Sequence, residues 1–171
     1  MFRALSANLL LNKAPYERLA VATTTLIVNN TTGSVTMFTL TGTVKVLELW
    51  GEVTTVLSAA VTAAYVEMND STATLDVTLA TGVTLSAAPV GSLIFKEGLT
   101  AAALNHKSNA AAFFEETTPA GQPAMNPFII GKKTAVATTL QLTYSTTDAP
   151  SSGAIRWYAR YVPLSADGNL A

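Results

Sequence analysis

From Val136 onward, apolar and polar positions alternate with a period of two. Val136, Thr138, Leu140, Leu142 and Tyr144 share one parity, and Thr139, Gln141, Thr143 and Ser145 share the other. Such a pattern describes a strand with a buried face and a wet face. After the turn-rich stretch Thr146 to Gly153, the alternation resumes with Ile155, Trp157, Ala159 and Tyr161 opposite Arg156, Tyr158 and Arg160. Pro163 has no N–H to donate and closes the run. The two runs read as one long antiparallel hairpin, Thr134 to Leu164, with an aromatic inner row.

The same signals fill most of the chain upstream. Ala20 to Val28, a turn over Asn29 to Ser34, and Val35 to Leu40 predict a first hairpin. Gly42 punctuates. Thr43 to Trp50 follows, with Val44, Val46 and Trp50 on one parity and Leu47 and Leu49 on the other, so both faces are expected to be covered. Gly51 is expected to break this strand at a bulge or corner. Val53 to Met68 is alanine-rich enough for a helix, but its Thr and Val content predicts two short strands.

Asn69 to Ser71 reads as a turn, and Thr74 to Leu79 as a strand pointing Leu75, Val77 and Leu79 inward. Short strands follow at Val83 to Leu85 and Ser92 to Phe95. The period fades over Lys96 to Gly131. There Thr100 predicts the cap of a short helix over Ala101 to Asn105, Ala110 to Glu116 reads as another helical turn or an extended rim, and the prolines of Thr117 to Pro127 make a loop. Long loops in compact β domains usually carry contacts. The expected fold is all-β: an antiparallel β-sandwich or jelly-roll-like barrel over residues 19–171, preceded by an N-terminal arm over 1–18. Its core should include Val44, Val46, Leu75, Val77, Leu140, Leu142, Ile155 and Trp157, whereas Thr139 and Thr143 should tolerate change.

Composition sharpens this picture. The 171 residues are 49% hydrophobic but only 12% charged, about half the charged fraction of an ordinary soluble domain. Little of such a surface repels neighbours, which favours association. A net charge of −1 supplies no basic stripe for nucleic acid. With no cysteine and a single histidine, disulfides are excluded and a tight zinc site is disfavoured. The apolar run Leu9 to Leu11 is too short to serve as a signal-peptide core or to span a membrane. The sequons at Asn29, Asn30 and Asn69 therefore carry no weight.

Candidate chemistry is thin, and no cofactor is expected. His106, in Asn105-His106-Lys107-Ser108, has no orienting carboxylate or nucleophile suggested nearby. Asn69, Asp70 and Asp76 lack the spacing of a calcium loop and read better as turn chemistry. Glu115 and Glu116 would point to opposite faces of an extended chain. Gly131-Lys132-Lys133-Thr134 lacks the first glycine, the Ser/Thr and the following helix of a phosphate loop. Trp157 and Tyr161 have core parity, which leaves Tyr158, beside Arg156 and Arg160, as the exposed aromatic.

Two stretches carry a resemblance. Gly153-Ala154-Ile155-Arg156-Trp157-Tyr158 with Tyr161-Val162-Pro163-Leu164-Ser165, and Val44-Lys45-Val46-Leu47-Glu48-Leu49-Trp50-Gly51-Glu52-Val53-Thr54, resemble small β-rich virion proteins of tailed bacteriophages. The resemblance implies a non-enzymatic decoration or cement protein, or the base of a head fibre, located on the capsid surface. It would bind the major capsid protein, often as a homotrimer, with neither nucleic acid nor membrane as partner. A carbohydrate-binding or receptor-binding module of a tail or fibre is the alternative. The expected partner contacts are Phe2, Leu5, Leu9, Leu10 and Leu11 of the arm, Pro119, Pro123, Met125, Pro127 and Phe128 of the loop, and Tyr158. Whether the arm lies on its own core or on a neighbour is open at this level.

Overall fold

The computed structural model describes residues 17–26, 32–57, 61–78, 80–96, 98, 101–108, 127–146 and 153–171. The described residues form eleven strands and no helix: β1 (Arg18–Thr25), β2 (Thr32–Thr41), β3 (Thr43–Thr55), β4 (Val61–Asn69), β5 (Thr74–Asp76), β6 (Leu93–Lys96), β7 (Leu104–Lys107), β8 (Phe128–Gly131), β9 (Thr138–Thr146), β10 (Ala154–Pro163) and β11 (Asn169–Leu170). They make two antiparallel sheets packed face to face. The first runs β1-β10-β3-β6-β7 with β8 also on β3, and the second runs β11-β2-β9-β4-β5. The fold is thus a β-sandwich, and its sheets do not close into a barrel.

The alternating residues supply the core. Val44, Val46, Leu49, Val53, Ile94, Ile155, Trp157 and Ala159 of the first sheet meet Phe38, Leu40, Ala64, Val66, Leu140 and Leu142 of the second, all essentially inaccessible. At the centre, Trp157 Nε1 donates to Thr24 Oγ1 (3.1 Å), and that hydroxyl donates to the Ile155 carbonyl (3.3 Å), so the indole is buried with its polar atom satisfied. Gly51 sits opposite Trp157. A Cβ there would lie 2.7 Å from Ile155 Cγ2 and 2.9 Å from Trp157 Cε3, so the glycine makes room for the indole. It does not break β3, which runs on to Thr55.

Neither expected hairpin forms. β9 pairs with β2 and β4, whereas β10 pairs with β1 and β3; β1 and β2 likewise lie in different sheets. Connections that cross between the layers explain both outcomes, because each crossing strand finds its hydrogen-bond partner far away in sequence. The turn at Gly42 (φ +57°) makes one such crossing. It is held by Thr43 N donating to Ser165 Oγ (2.8 Å) and by Ser165 Oγ donating to Asp167 Oδ1 (2.7 Å).

Parity also departs from expectation in β3. Tyr161 pairs with Val46 and Arg160 with Glu48, so Leu47 is an extra residue. This bulge turns Leu49 inward and Trp50 outward.

Four further expectations are corrected. Leu75 is 60% exposed, on a β5 that ends at Asp76, although Val77 is buried. Asn105 belongs to strand β7, paired with β6, and not to a helix. Val83 makes only an isolated bridge, to Ala64. Gln141 and Thr143, on the supposed wet face of β9, are buried. The expectations for residues 1–16, Leu79 and Ala110 to Glu116 lie outside the described residues.

Candidate functional site

Three surfaces gather polar and aromatic side chains among the described residues. The first is the outward face of the first sheet. Register brings Val21, Tyr158, Trp50 and Phe95 into one row across four strands. The Trp50 and Tyr158 rings stack with centroids 4.0 Å apart and planes 17° apart. Adjacent strands lie about 4.8 Å apart, so rings stacked between them stand upright on the sheet and show solvent their edges. A sugar stacks on an open ring face, and this arrangement withholds one face of each ring.

At the end of the row Val21 is 54% exposed on edge strand β1, and Leu19, two residues before it and level with Arg160, is 61% exposed. A flanking row carries charge. Arg160 donates to Glu48 through Nε (3.0 Å) and Nη2 (2.5 Å), and through Nη1 to Glu17 (2.6 Å). This two-pronged pairing lowers the Glu48 pKa, the Arg160 hydrogen bond being the main cause, and raises that of Arg160. Tyr158, expected as a contact residue, thus sits half-buried at the centre of an apolar strip.

The second surface is on the outward face of the second sheet, where Glu67 is buried. Gln141 Nε2 (2.5 Å) and Thr143 Oγ1 (2.7 Å) both donate to Glu67 Oε1. The Tyr65 phenol also hydrogen-bonds Glu67, and burial, followed by the Glu67 charge, raises its pKa. These donors bind the carboxylate from its own sheet and close the cluster.

The third is a cleft of about 240 Å³ at one side of the sandwich, between β5 of one sheet and β6 and β8 of the other. Its lining includes Pro127 and Phe128, two of the expected contact residues, with Met68, Val77 and Ile130 as apolar walls and Leu75, Asp76 and Ile129 at the rim. Lys96 shares the inward parity of Ile94 and is only 4% exposed. Its Nζ donates to the Gly98 carbonyl (2.7 Å) and lies 5.2 Å from the centre of the Phe128 ring. Burial lowers its pKa. Sequence reasoning passed over Lys96, although the strand reading of Ser92 to Phe95 places it one step beyond a clean alternation.

The remaining candidates stand apart from these surfaces. His106 pairs with Ile94 on β7. Its Nε2 is buried with no hydrogen-bond partner among the described residues. Burial lowers its pKa, opposed by a hydrogen bond to the Thr84 backbone. Asn69 and Asp70 act as turn residues: Asn69 Oδ1 accepts from Ser71 N (2.6 Å), and Asp70 Oδ1 from Thr72 N (2.9 Å) and Ala73 N (2.7 Å). The Thr72 hydroxyl and Lys133, the latter 3.0 Å from Asp70 Oδ2, hold that carboxyl well below the usual range. No group of three or more His, Asp and Glu side chains among the described residues is placed to hold a metal ion. Phe2, Leu5, Leu9, Leu10, Leu11, Pro119, Pro123, Met125, Glu115 and Glu116 lie outside the described residues.

Compared with family models, curated proteins and solved structures, the chain gives no match.

Proposed function

We propose that this chain is a non-enzymatic structural protein of a bacteriophage virion: a decoration or cement protein that seats on the major capsid protein of the head shell, as a homotrimer, and stabilises the shell. The observation that carries the reading is the apolar strip of Leu19, Val21, Tyr158 and Trp50 on the outward face of the first sheet. The two stretches that resemble phage virion proteins fall on β3 and β10, which are direct neighbours, and together they supply the stacked rings of that strip. A resemblance confined to one contiguous patch is better support than the same residues scattered over the fold.

The mechanism asks for no chemistry. A cement protein raises the cost of separating capsomers by burying apolar area across subunits, at roughly 25 cal/mol per Å² before association costs. Three copies held together release only when all their contacts open. The arm, Phe2 to Leu11, and the loop, Thr117 to Phe128, are the proposed additional contacts, the prolines limiting the entropy lost on docking.

The test measures occupancy on particles lacking the protein, together with the oligomeric state by light scattering. Deleting Met1 to Asn12 is expected to leave a folded β domain that no longer decorates particles. Full occupancy by the truncated chain would remove the arm from the docking surface. Failure of the intact chain to bind any particle would end the proposal.

A further inference from the structure

We infer that the cleft between β5, β6 and β8 is a binding site for a small monocarboxylate with an apolar body, its carboxylate received by the Lys96 ammonium.

Lys96 lies on the inward side of β6, nine-tenths buried, where an ammonium loses hydration worth several kcal/mol unless something replaces it. The replacement is partial. One N–H goes to the Gly98 carbonyl, and the Phe128 ring offers its face at 5.2 Å, a modest contribution. An ammonium has three N–H bonds. Among the described residues no carboxylate comes within ion-pair distance of Nζ; Asp76 lines the same cleft at its exposed rim and remains unpaired with it. A buried cation with no counter-ion among the described residues, beside a cavity, is a place where an anion gains more than it does on the surface.

The walls decide which anion. Phosphate or sulfate spreads charge over several oxygens and needs several donors, whereas the described residues of this cleft offer one ammonium, Lys96, among Met68, Val77, Phe128 and Ile130. One carboxylate satisfies one ammonium, and an aliphatic or aromatic body fits the apolar walls. A volume of about 240 Å³ equals that of about eight waters at roughly 30 Å³ each, smaller than drug-sized pockets and suited to a short chain. Asp76 opposes an anion at the mouth, but an exposed charge is screened by solvent and salt, while Lys96 acts where screening is weak.

Hexanoate is the probe and hexan-1-ol its uncharged control. NMR of the full chain follows the Lys96 Hε, Met68 methyl and Phe128 ring resonances during titration. Saturable shifts with hexanoate, at least about tenfold weaker binding of hexan-1-ol, and loss of the hexanoate response in Lys96→Met are expected. The methionine keeps the length of the stem and removes the ammonium, with its charge and its hydrogen bond to Gly98. Equal binding of the alcohol, the absence of any saturable shift at tens of millimolar hexanoate, or an unchanged response in Lys96→Met would each overturn the site. The same holds if Glu115→Gln with Glu116→Gln moves the Lys96 Hε resonance with no hexanoate present, because the counter-ion would then belong to the chain itself. The wild-type comparison of acid and alcohol stands even if the variant folds poorly.

Discussion

Strands β9 and β10 follow one another in the sequence, alternate in the same way and carry equally clean inner rows, yet they lie in opposite sheets and their outward rows do opposite things. In β9 the outward Gln141 and Thr143 hydrogen-bond Glu67 on the neighbouring strand, and all three are buried. In β10 the outward Arg156, Tyr158 and Arg160 keep contact with solvent, and Tyr158 leans on Trp50 beside the exposed Val21. Alternation reports which side chains share a face. It does not report which strand lies alongside or whether the outer face is finished. One finished and one unfinished face is the asymmetry expected of a sandwich that meets its partner on one side.

The largest effects should come from the inner row shared by both strands. Trp157→Ala is expected to cost about 3–5 kcal/mol, read by denaturant unfolding. Gly51→Ala should cost about 1–3 kcal/mol by overpacking against the same indole. The two changes should be partly non-additive, because removing the indole relieves the contact with Trp157 and leaves the one with Ile155 Cγ2. Fully additive costs would mean that Gly51 makes room for Ile155 and not for Trp157.

The next effect separates the two outer faces. Glu67→Ala strands the donors of Gln141, Thr143 and Tyr65 and is expected to cost about 1–3 kcal/mol. Glu67→Gln should cost less because it keeps one acceptor. If Glu67→Ala proves neutral, the β9 face is as open as that of β10 and the comparison fails.

What was legible in the sequence follows the same division. Val44, Val46, Leu140, Leu142, Ile155 and Trp157 were readable as core because side-chain parity is a local property, and all are buried. Strand partners were not readable, because pairs such as Val21 with Tyr158 join distant parts of the chain. The parity of Trp50 was inverted by the single extra residue Leu47, and Leu75 by a strand that stops after three residues. Ala101 to Asn105 favoured a helix by propensity, but pairing with β6 prevailed over Leu104 and Asn105. Lys96 was missed because a charged residue ending a strand reads by default as solvated. Of the expected contacts, Pro127 and Phe128 reach the cleft and Tyr158 the aromatic strip, so the sequence pointed to two separate surfaces.

A smaller effect tests the buried amine through pH. In the folded protein burial holds Lys96 below its ordinary value of 10.5, so between the two values the unfolded chain binds more protons and stability rises with pH. The penalty of burying the ammonium is fully present below the folded pKa. It is relieved as pH climbs through that value towards 10.5. Lys96→Met lacks the penalty. Its stability advantage over the wild type should therefore be greatest near neutrality and shrink at alkaline pH, as followed by thermal unfolding across the series. A constant difference would show that the ammonium is not desolvated.

The smallest expected change in stability is the most informative about the open face. Leu19 and Val21 are more than half exposed on an edge strand, so folding removes little of their surface from water. Threonine is as good a strand former as either. Leu19→Thr with Val21→Thr should consequently leave unfolding within about 0.5 kcal/mol of the wild type. Docking is another matter: on the proposed function these two side chains contribute apolar area that the capsid would bury, and the proposed trimer would present the loss three times. Occupancy on particles should fall by roughly tenfold or more, while Thr139→Ser on the partly closed β9 face leaves it unchanged. If both variants decorate particles equally, the strip is merely tolerated apolar surface, and the unfinished face must be sought among the arm, the loop and the rim of the cleft.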